Sequence, residues 1–409
     1  MSEPFLLGVN YWPRRKAVFW WSDFDAGEVR EEFALIRDLG LDVVRMFLLW
    51  DDFQPAPDTV EATALDHLIA VADIAADLGL GLEPTFFVGH MSGPNWAPRW
   101  LLGGPLPHHP WIKEVVSVGK LVEGGYRNLF HDPIALSAER LLLRRVVGAL
   151  KDHPGIWMWS LGNEPDLFAW PQDAAAGRAW VRQMTALIHD IDPNHPVSIG
   201  LHGADLEADT GLRVDQCFAE TDRAVMHAYS IYSDVARQPL DPDFLAYNVA
   251  LTAALCGKPV LLEEFGSCTA RPGEASYILK WRGKAGHRQQ FLAAEEDLAE
   301  FLRQSLPKLV EVGALGAFIW CFADYAEELW NQPPCADAVH ERFFGLIRPD
   351  GSLKPHALVL KEFAAARPQV QPIPEWARLE VDPDEYYRAP QKHFRRLYRA
   401  YLERMAGQR

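Results

Sequence analysis

The most constraining feature of this sequence is an eightfold alternation of short apolar runs with longer segments of helical spacing. We interpret eight apolar runs as strands: 5–11, 41–50, 82–88, 156–161, 196–201, 224–229, 259–265 and 315–322. Helical patterns include 28–39, 64–78, 134–151, 172–190, 288–311 and 355–366. Strands alternating with helices in this way predict an α/β fold, a (β/α)8 TIM barrel. A doubly wound sheet would need a glycine-rich phosphate turn after an early strand, and the sequence has none.

Two long irregular stretches interrupt the alternation, one after strand 3 (about 89–133) and one after strand 8. Loops of this length are usually functional or disordered, and the tryptophans in them favour ordered, functional loops. The pair His108 and His109 is expected to form a solvated turn, because a zinc site needs more ligands at set spacing. We predict a catalytic barrel over residues 1–368 and a C-terminal extension, 369–409, packed on it as a strap and a helix.

Composition excludes several classes of partner. The formal net charge of −16 argues against nucleic acid and anionic membranes, which bind basic patches. No run of 18 apolar residues suggests a transmembrane helix. Five cysteines are odd in number and far apart, with no pair spaced for zinc or redox work. The first residues lack a signal-peptide pattern, so we expect a cytoplasmic protein with reduced thiols and no metal or cofactor.

Polar and aromatic residues cluster where the predicted strands end. Catalytic groups of such barrels lie at the C-terminal ends of the strands. The candidates are Asn10, Tyr11, Arg45, Trp50, His90, Asn95, Trp96, Asn163, Glu164, His202, His227, Tyr229, Glu263, Glu264 and Trp320. Carboxylates on two strands, several aromatic rings, one arginine and no metal motif are what glycosidic bond cleavage requires.

That chemistry explains why two carboxyl groups are needed. One must be protonated to donate to the leaving oxygen, and the other must be ionised to attack the anomeric carbon. In a retaining enzyme the two groups lie about 5–5.5 Å apart. Strands 4 and 7 lie on opposite sides of a barrel mouth, so Glu164 and a glutamate of strand 7 are able to face each other across a sugar.

Two motifs resemble glycoside hydrolase clan A and, within it, family 5. They are S-L-G-N-E-P (160–165) after strand 4 and L-L-E-E-F-G (261–266) after strand 7. The resemblance implies Glu164 as acid/base and Glu264 as nucleophile. It further implies substrate or nucleophile contacts for Arg45 on strand 2, for His227 and Tyr229 on strand 6, and for Trp320 on strand 8.

A narrower resemblance concerns the bacterial subfamily 18. It rests on N-Y-W-P-R-R-K (10–16), F-L-L-W-D-D-F-Q-P (47–55), G-H-M-S-G-P-N-W-A-P-R-W-L (89–101) and H-E-R-F-F-G-L (340–346). This subfamily is associated with β-mannosidase activity, which implies a terminal β-mannoside of a small oligosaccharide as substrate. Nothing in the residue pattern itself selects mannose.

Structural roles remain open for each candidate. Glu164 could begin a helix together with Pro165, and Arg45 could pair at the surface with Asp42 or Asp51. The side chains of His227, Tyr229 and Trp320 could belong to the core. For Trp50, Asn163 and the set formed by His90, Asn95, Trp96 and His202, we expect sugar contact, with loop anchoring as the alternative for that set.

The adjacent Glu263 and Glu264 pose a separate question. Successive strand side chains point to opposite faces, so only one of the two is expected to face the barrel mouth. Alternation cannot decide which, because both faces of a barrel strand are covered. The resemblance selects Glu264, opposite Glu164 and near Arg45 and Tyr229. Glu263 then needs a partner on the helix-facing or neighbouring-strand side, because a buried unpaired carboxylate is costly.

These observations favour a retaining exo-acting β-glycosidase, most closely a β-mannosidase. Exo action follows from long loops that could wall off a pocket and from the small sugars that a cytoplasmic enzyme meets. An endo-β-1,4-mannanase and a β-glucosidase or cellulase of the same clan are the alternatives among enzymes. A barrel that binds sugar without cleaving it is the alternative from another class.

Overall fold

The computed structural model describes residues 3–105, 114–283 and 286–408, so the turn expected at His108 and His109 lies outside the described residues. Its centre is a parallel sheet of eight buried strands. In chain order, β1 to β8 are Leu6–Asn10, Val43–Leu49, Gly81–Val88, Trp159–Asn163, Val197–Gly200, Ala224–His227, Val260–Phe265 and Gly316–Ile319.

Helices follow the strands along the chain. In order, α1 to α9 are Ala26–Asp38, Ala62–Leu78, Pro133–Leu150, Ala174–Ile191, Val214–Phe218, Phe244–Cys256, Glu295–Glu311, Pro355–Ala365 and Pro390–Ala406. Short helical segments occupy Ala17–Phe19, Trp50–Phe53, Arg99–Leu101, Pro165–Phe168, Gly203–Glu207, Ser230–Tyr232, Glu327–Leu329, Val339–Phe343, Glu375–Ala377 and Pro383–Tyr386. None of the helices among the described residues is both long enough and apolar enough to cross a bilayer.

The strand order closes the sheet into a barrel. The hydrogen-bonded order is β5-β4-β3-β2-β1-β8-β7-β6, and the ladders are parallel throughout. The two end strands then meet, because the His227 N–H at the end of β6 donates to the Leu201 carbonyl just after β5 at 2.9 Å. The predicted (β/α)8 barrel is confirmed. Its strands bring their C-terminal ends to one rim.

Strand 4 differs from the prediction in its position. It runs over Trp159–Asn163 and not over 156–161. The apolar run begins before the regular strand does. The Trp157 N–H already donates to the Leu82 carbonyl at 2.8 Å, but the strand itself starts at Trp159. Gly162 and Asn163 are poor strand formers, but β5 pairs with them, as in the register of Gly200 with Asn163. Tertiary pairing therefore carries the strand to the rim.

The predicted helix over 288–311 is wrong in its first part. Helix α7 begins only at Glu295, and the residues before it form an antiparallel hairpin of Tyr277–Gly283 with Gly286–Leu292. The first hairpin strand alternates exposed and half-buried side chains, which is the strand period. Trp281 on this hairpin stacks near the His340 ring, with centroids 5.5 Å apart. Smaller strands occupy Asn95–Trp96, Leu102–Gly104, Val115–Ser117, Lys120–Val122 and Gly125–Tyr126.

Helix α9 lies against the barrel helix α6. It buries Phe394, Tyr398 and Tyr401. The Tyr398 hydroxyl donates to the Asp241 carboxylate at 2.6 Å, and the Tyr247 hydroxyl of α6 donates to the Phe394 carbonyl at 2.6 Å. These contacts tie the C-terminal helix to the barrel. The division into units at residue 368 stays a prediction.

Substituting Tyr398→Phe tests this docking. The change removes a buried hydrogen bond to a charged group, so the free energy of unfolding should fall by about 1.5–3 kcal/mol. Urea unfolding at constant pH measures it. Tyr401→Phe is the matched control, because it removes a buried hydroxyl on the same helix that does not contact Asp241. Equal losses in the two variants would contradict a specific role for the Tyr398 bond.

Candidate active site

A cavity of about 740 Å³ opens at the rim formed by the strand ends. Eight of the residues predicted from the sequence line it. They are His90, Asn163, Glu164, His202, His227, Tyr229, Glu264 and Trp320. They come from the ends of β3 to β8, so the rim gathers side chains that are far apart in the sequence.

Glu164 stands immediately after β4 in an unusual backbone conformation. Its φ of 46° and ψ of 56° lie in the left-handed region, which non-glycine residues seldom adopt outside functional sites and turns. It occupies the position before the short helix Pro165–Phe168, but its side chain makes no capping hydrogen bond. The carboxylate instead contacts the His227 Nδ1 at 2.9 Å. The backbone of Glu164 therefore does begin the short helix, but its side chain does not cap that helix.

Glu264 lies near the end of β7 and is buried. The Arg45 guanidinium donates to its carboxylate at 2.5 Å, and the Tyr229 hydroxyl donates to it at 2.8 Å. One carboxylate oxygen of Glu264 lies within 4.8 Å of one of Glu164. Beyond it, Gly266 has a φ of 153°, and a Cβ there would stand 2.6 Å from the Trp320 carbonyl. Only glycine lets the chain pass that close to β8.

Strict alternation fails at Glu263. The pairing registers of β7 with β6 and with β8 both shift at this point, so a β-bulge interrupts the strand. Both glutamates consequently reach the barrel interior. The Glu263 carboxylate contacts the His227 Nε2 at 2.8 Å and lies 3.3 Å from the Arg45 Nε. Of the two sides expected for its partner, helix-facing or neighbouring-strand, the neighbouring strand β6 supplies one, His227, which is itself a residue of the site.

Arg45 is fully buried beneath the cavity floor. Besides Glu264, its guanidinium donates to Asn10 Oδ1 and to Asn163 Oδ1, each at 2.9 Å. Surface pairing with Asp42 or Asp51 is not what the structure shows. Burial alone would lower the pKa of Arg45, but the charges of Glu263 and Glu264 raise it. Arg45 therefore carries a permanent positive charge under the two glutamates.

The pKa values of the two candidate catalytic glutamates are displaced in opposite directions. Burial would raise the pKa of Glu164, but the charges of His202 and His227 outweigh burial and hold it below its usual value. For Glu264, burial is the largest effect and its pKa is raised, against the opposing charges of His227 and Arg45. These directions are the reverse of those expected for an acid and a nucleophile.

In this cavity the histidine rings, and not Glu164, carry the proton. Burial disfavours the charged ring of His227, but the charge of Glu264 and hydrogen bonds to Glu164 and Glu263 raise the pKa of His227 to about 9. His202 behaves similarly: its Nε2 contacts Asp166 at 2.9 Å, and Asp166 and Glu164 raise the pKa of His202 in spite of burial. An imidazolium thus stands beside Glu164 at neutral pH.

Besides Arg45, three predicted site residues lie outside the cavity lining. Trp50 donates its Nε1–H to Gln54 at 2.6 Å and packs among other rings. Trp96 donates its Nε1–H to the Met91 carbonyl at 3.0 Å, and Asn95 contacts the His90 Nδ1 at 3.0 Å. They anchor the loop after β3 and hold His90. Their positions therefore do not favour direct contact with a sugar.

Several lining residues were not selected from the sequence. Tyr232, His340, Glu341 and Phe344 form a wall from the loops after β6 and β8. Three of them lie in the H-E-R-F-F-G-L segment, which signalled the resemblance but had no assigned role. The expected stacking residue Trp320 lines the cavity next to this wall.

Two groups of side chains have the spacing of metal ligands among the described residues. They are Glu164 with His227 and Glu264, and Asp166 with His202 and Asp205; within each group the ligand atoms lie within 4.8 Å of one another. In both groups the carboxylates are engaged by protein donors: Arg45, Tyr229 and His227 in the first, and His202 and Thr210 in the second. The hydrogen-bond network accounts for both clusters.

The chain matches a known family of glycosyl hydrolases. The family described as "Glycosyl hydrolases family 2, TIM barrel domain" matches residues 113–366, more than half of the chain. Mannan endo-1,4-beta-mannosidase F of Aspergillus clavatus is 29% identical over 168 residues, covering 36% of this chain and 35% of the relative. The chain thus spans about a third of the length of this curated relative.

Solved structures align over much more of the chain. Exo-beta-1,4-mannosidase Op5Man5 from Opitutaceae bacterium strain TAV5 has a TM-score of 0.72 at 26% identity, covering 90% of this chain and 60% of that one. A GH5_18 protein from Streptomyces cattleya, in complex with Manb1-4GlcNAc, has a TM-score of 0.73 at 23% identity, covering 91% and 83%. The resemblance to family 5 subfamily 18 is confirmed. The chain belongs to the TIM-barrel glycosyl hydrolases, the family whose description matches residues 113–366.

Proposed function

We propose that the protein is a retaining exo-β-mannosidase that hydrolyses a terminal β-mannoside of a small oligosaccharide and releases mannose. The observation that carries this proposal is the pair Glu164 and Glu264, with carboxylate oxygens within 4.8 Å of each other at the rim of one cavity. This upper limit is compatible with the spacing of about 5–5.5 Å in retaining glycosidases and lies below the roughly 6.5–9.5 Å that leaves room for water in inverting enzymes.

In the first step of this mechanism the Glu264 carboxylate attacks the anomeric carbon while Glu164 donates a proton to the leaving oxygen. The glycosidic bond breaks and a glycosyl ester forms on Glu264. In the second step Glu164 removes a proton from water, which attacks the same carbon and releases the sugar with retained configuration. Arg45 and Tyr229, which donate to different oxygens of Glu264, orient its carboxylate for attack and stabilise the carboxylate again when it leaves.

Glu164 needs a proton that it lacks in the free site. Its contact with the His227 Nδ1, at 2.9 Å, provides the route. A sugar that fills the cavity removes water from Glu164 and so favours its neutral form. We infer that the proton passes from the imidazolium to Glu164 as the substrate binds, and that Glu264 stays ionised against Arg45.

Substrate size and glycone are supported by the cavity and by the neighbours. A cavity of about 740 Å³ closed on one side by Tyr232, His340 and Phe344 suits a short oligosaccharide better than a polymer. The Streptomyces cattleya protein, which shares the fold, was solved with Manb1-4GlcNAc. The Opitutaceae protein is named an exo-β-1,4-mannosidase. An endo-acting mannanase is the second candidate, favoured by the name of the Aspergillus relative.

Replacing each glutamate separately tests the assigned roles. Glu264→Ala should abolish turnover of every aryl β-mannoside, because no ester can form. Glu164→Ala should reduce kcat/KM by about 10²–10⁴-fold for poor leaving groups and much less for activated ones, the range expected for general acid catalysis. Glu31→Ala, an exposed residue of α1, is the control. Activity close to that of the wild type in either site variant would refute the assignment.

A substrate panel tests the glycone and the mode of action. The enzyme should hydrolyse aryl β-mannosides faster than the corresponding β-glucosides, and it should release mannose from β-mannosyl-1,4-N-acetylglucosamine. NMR of the first product should show the β-anomer. Rapid loss of viscosity of a mannan solution would favour the endo alternative, and the α-anomer as first product would contradict the retaining mechanism.

A further inference from the structure

The barrel interior beneath the cavity contains a carboxyl group that the mechanism above does not use. Glu83 lies in β3, in register with Arg45 of the neighbouring β2, and is 0% exposed. It interrupts an otherwise apolar strand. A buried carboxylate without a partner is costly, so its presence requires a physical explanation.

The charges of this layer do not balance if every group is ionised. Three buried carboxyl groups, those of Glu83, Glu263 and Glu264, surround the single guanidinium of Arg45. Beyond Glu263 lies the His227 ring, which contacts both that residue and Glu164. Even with His227 protonated, two cations face three carboxylates here, and Glu164 above them has the His202 ring beside it as well. One carboxyl group of the layer is therefore expected to be neutral.

The hydrogen-bond pattern identifies which one. The terminal nitrogens of Arg45 donate to Asn10, Asn163 and Glu264, and its Nε faces Glu263. Neither oxygen of Glu83 receives a donor from another side chain among the described residues, and the Glu263 Oε1 receives none either. The electrostatics of this layer nevertheless pair the Glu83 carboxyl with that of Glu263 as hydrogen-bond partners. One proton between them would satisfy both groups at once.

The environments of the two groups are unequal. Burial and the charge of Glu263 raise the pKa of Glu83 well above its usual value. Burial would do the same to Glu263, but Arg45 and His227 lower the pKa of Glu263 to about 2. The proton of the pair therefore belongs to Glu83.

We propose that Glu83 is a neutral carboxylic acid that donates a hydrogen bond to Glu263, and that it is a positioning residue for the catalytic pair. Glu263, held in this way, accepts from the His227 Nε2 and directs the Nδ1 of that ring at Glu164. The chain of contacts runs from Glu83 through Glu263 and His227 to Glu164. Its last step, the effect on catalysis, rests on the proposed function.

The protonation state is testable without any substrate. Infrared difference spectra of wild type minus Glu83→Gln at pH 7.5 should contain the carbonyl stretch of one protonated, buried carboxylic acid. Titration of ¹⁵N-labelled histidines by NMR, with His227 assigned through His227→Asn, should give the same midpoint in wild type and in Glu83→Gln, because no charge is removed. Glu263→Gln is the control: it removes a real negative charge and should lower the His227 midpoint.

Kinetics then tests the positioning role. Glu83→Leu, which removes the donor, should lower kcat/KM for an aryl β-mannoside by about 10–100-fold, because a misplacement of a reacting group by about 1 Å costs up to about 10²-fold. Glu83→Gln, which keeps a donor in place, should restore most of the lost kcat/KM.

Three outcomes would overturn the proposal. They are a missing carbonyl band, a His227 midpoint that falls in Glu83→Gln as far as in Glu263→Gln, and equal kinetic losses in the Leu and Gln variants. If no mannoside is hydrolysed by the wild type, the proposed function fails, and the infrared and NMR results still decide the state of Glu83.

Discussion

One buried guanidinium determines how the rim of this barrel is built. An arginine side chain stays charged at every accessible pH, so Arg45 with no solvent exposure must be neutralised by nearby carboxylates and held by hydrogen bonds to protein groups. Its donors reach Asn10 at the end of β1, Asn163 at the end of β4 and Glu264 on β7. The strands that supply these partners are distant in sequence and meet only when the barrel is closed. Forming the fold and assembling the catalytic floor are therefore the same event, and a change at Arg45 would disturb both.

Charge balance around that guanidinium explains the distribution of protons in the cavity. Several buried carboxyl groups lie close together, and they share one arginine and the rings of His202 and His227. In the free site the imidazolium groups hold the proton, so Glu164 is ionised and ready to receive it. In the proposed mechanism, the binding of a sugar converts Glu164 into an acid. The proton that it needs lies one hydrogen bond away, on His227.

The sequence predicts the parts of this protein that depend on local pattern or on a recognisable motif. The eightfold alternation gives the barrel, and N-E-P after strand 4 places Glu164 at the rim. Features set by distant contacts are not readable in this way. The bulge that turns both Glu263 and Glu264 inward depends on the registers with two neighbouring strands. The hairpin before α7 overrides a helical spacing through cross-strand pairing. Trp50 resembles a sugar-stacking residue in sequence, and only tertiary packing shows that it supports a loop.

The most direct test of the account is to trap the covalent intermediate and locate it. Incubation with 2-deoxy-2-fluoro-β-mannosyl fluoride, which forms the glycosyl ester but hydrolyses slowly, followed by peptide mass spectrometry, identifies the residue that attacks the sugar. The account predicts a single stoichiometric label on Glu264. A label on the adjacent Glu263 or on Glu164 would contradict the assignment of the nucleophile, and turnover of β-mannosides without any labelled peptide would contradict double displacement through this residue.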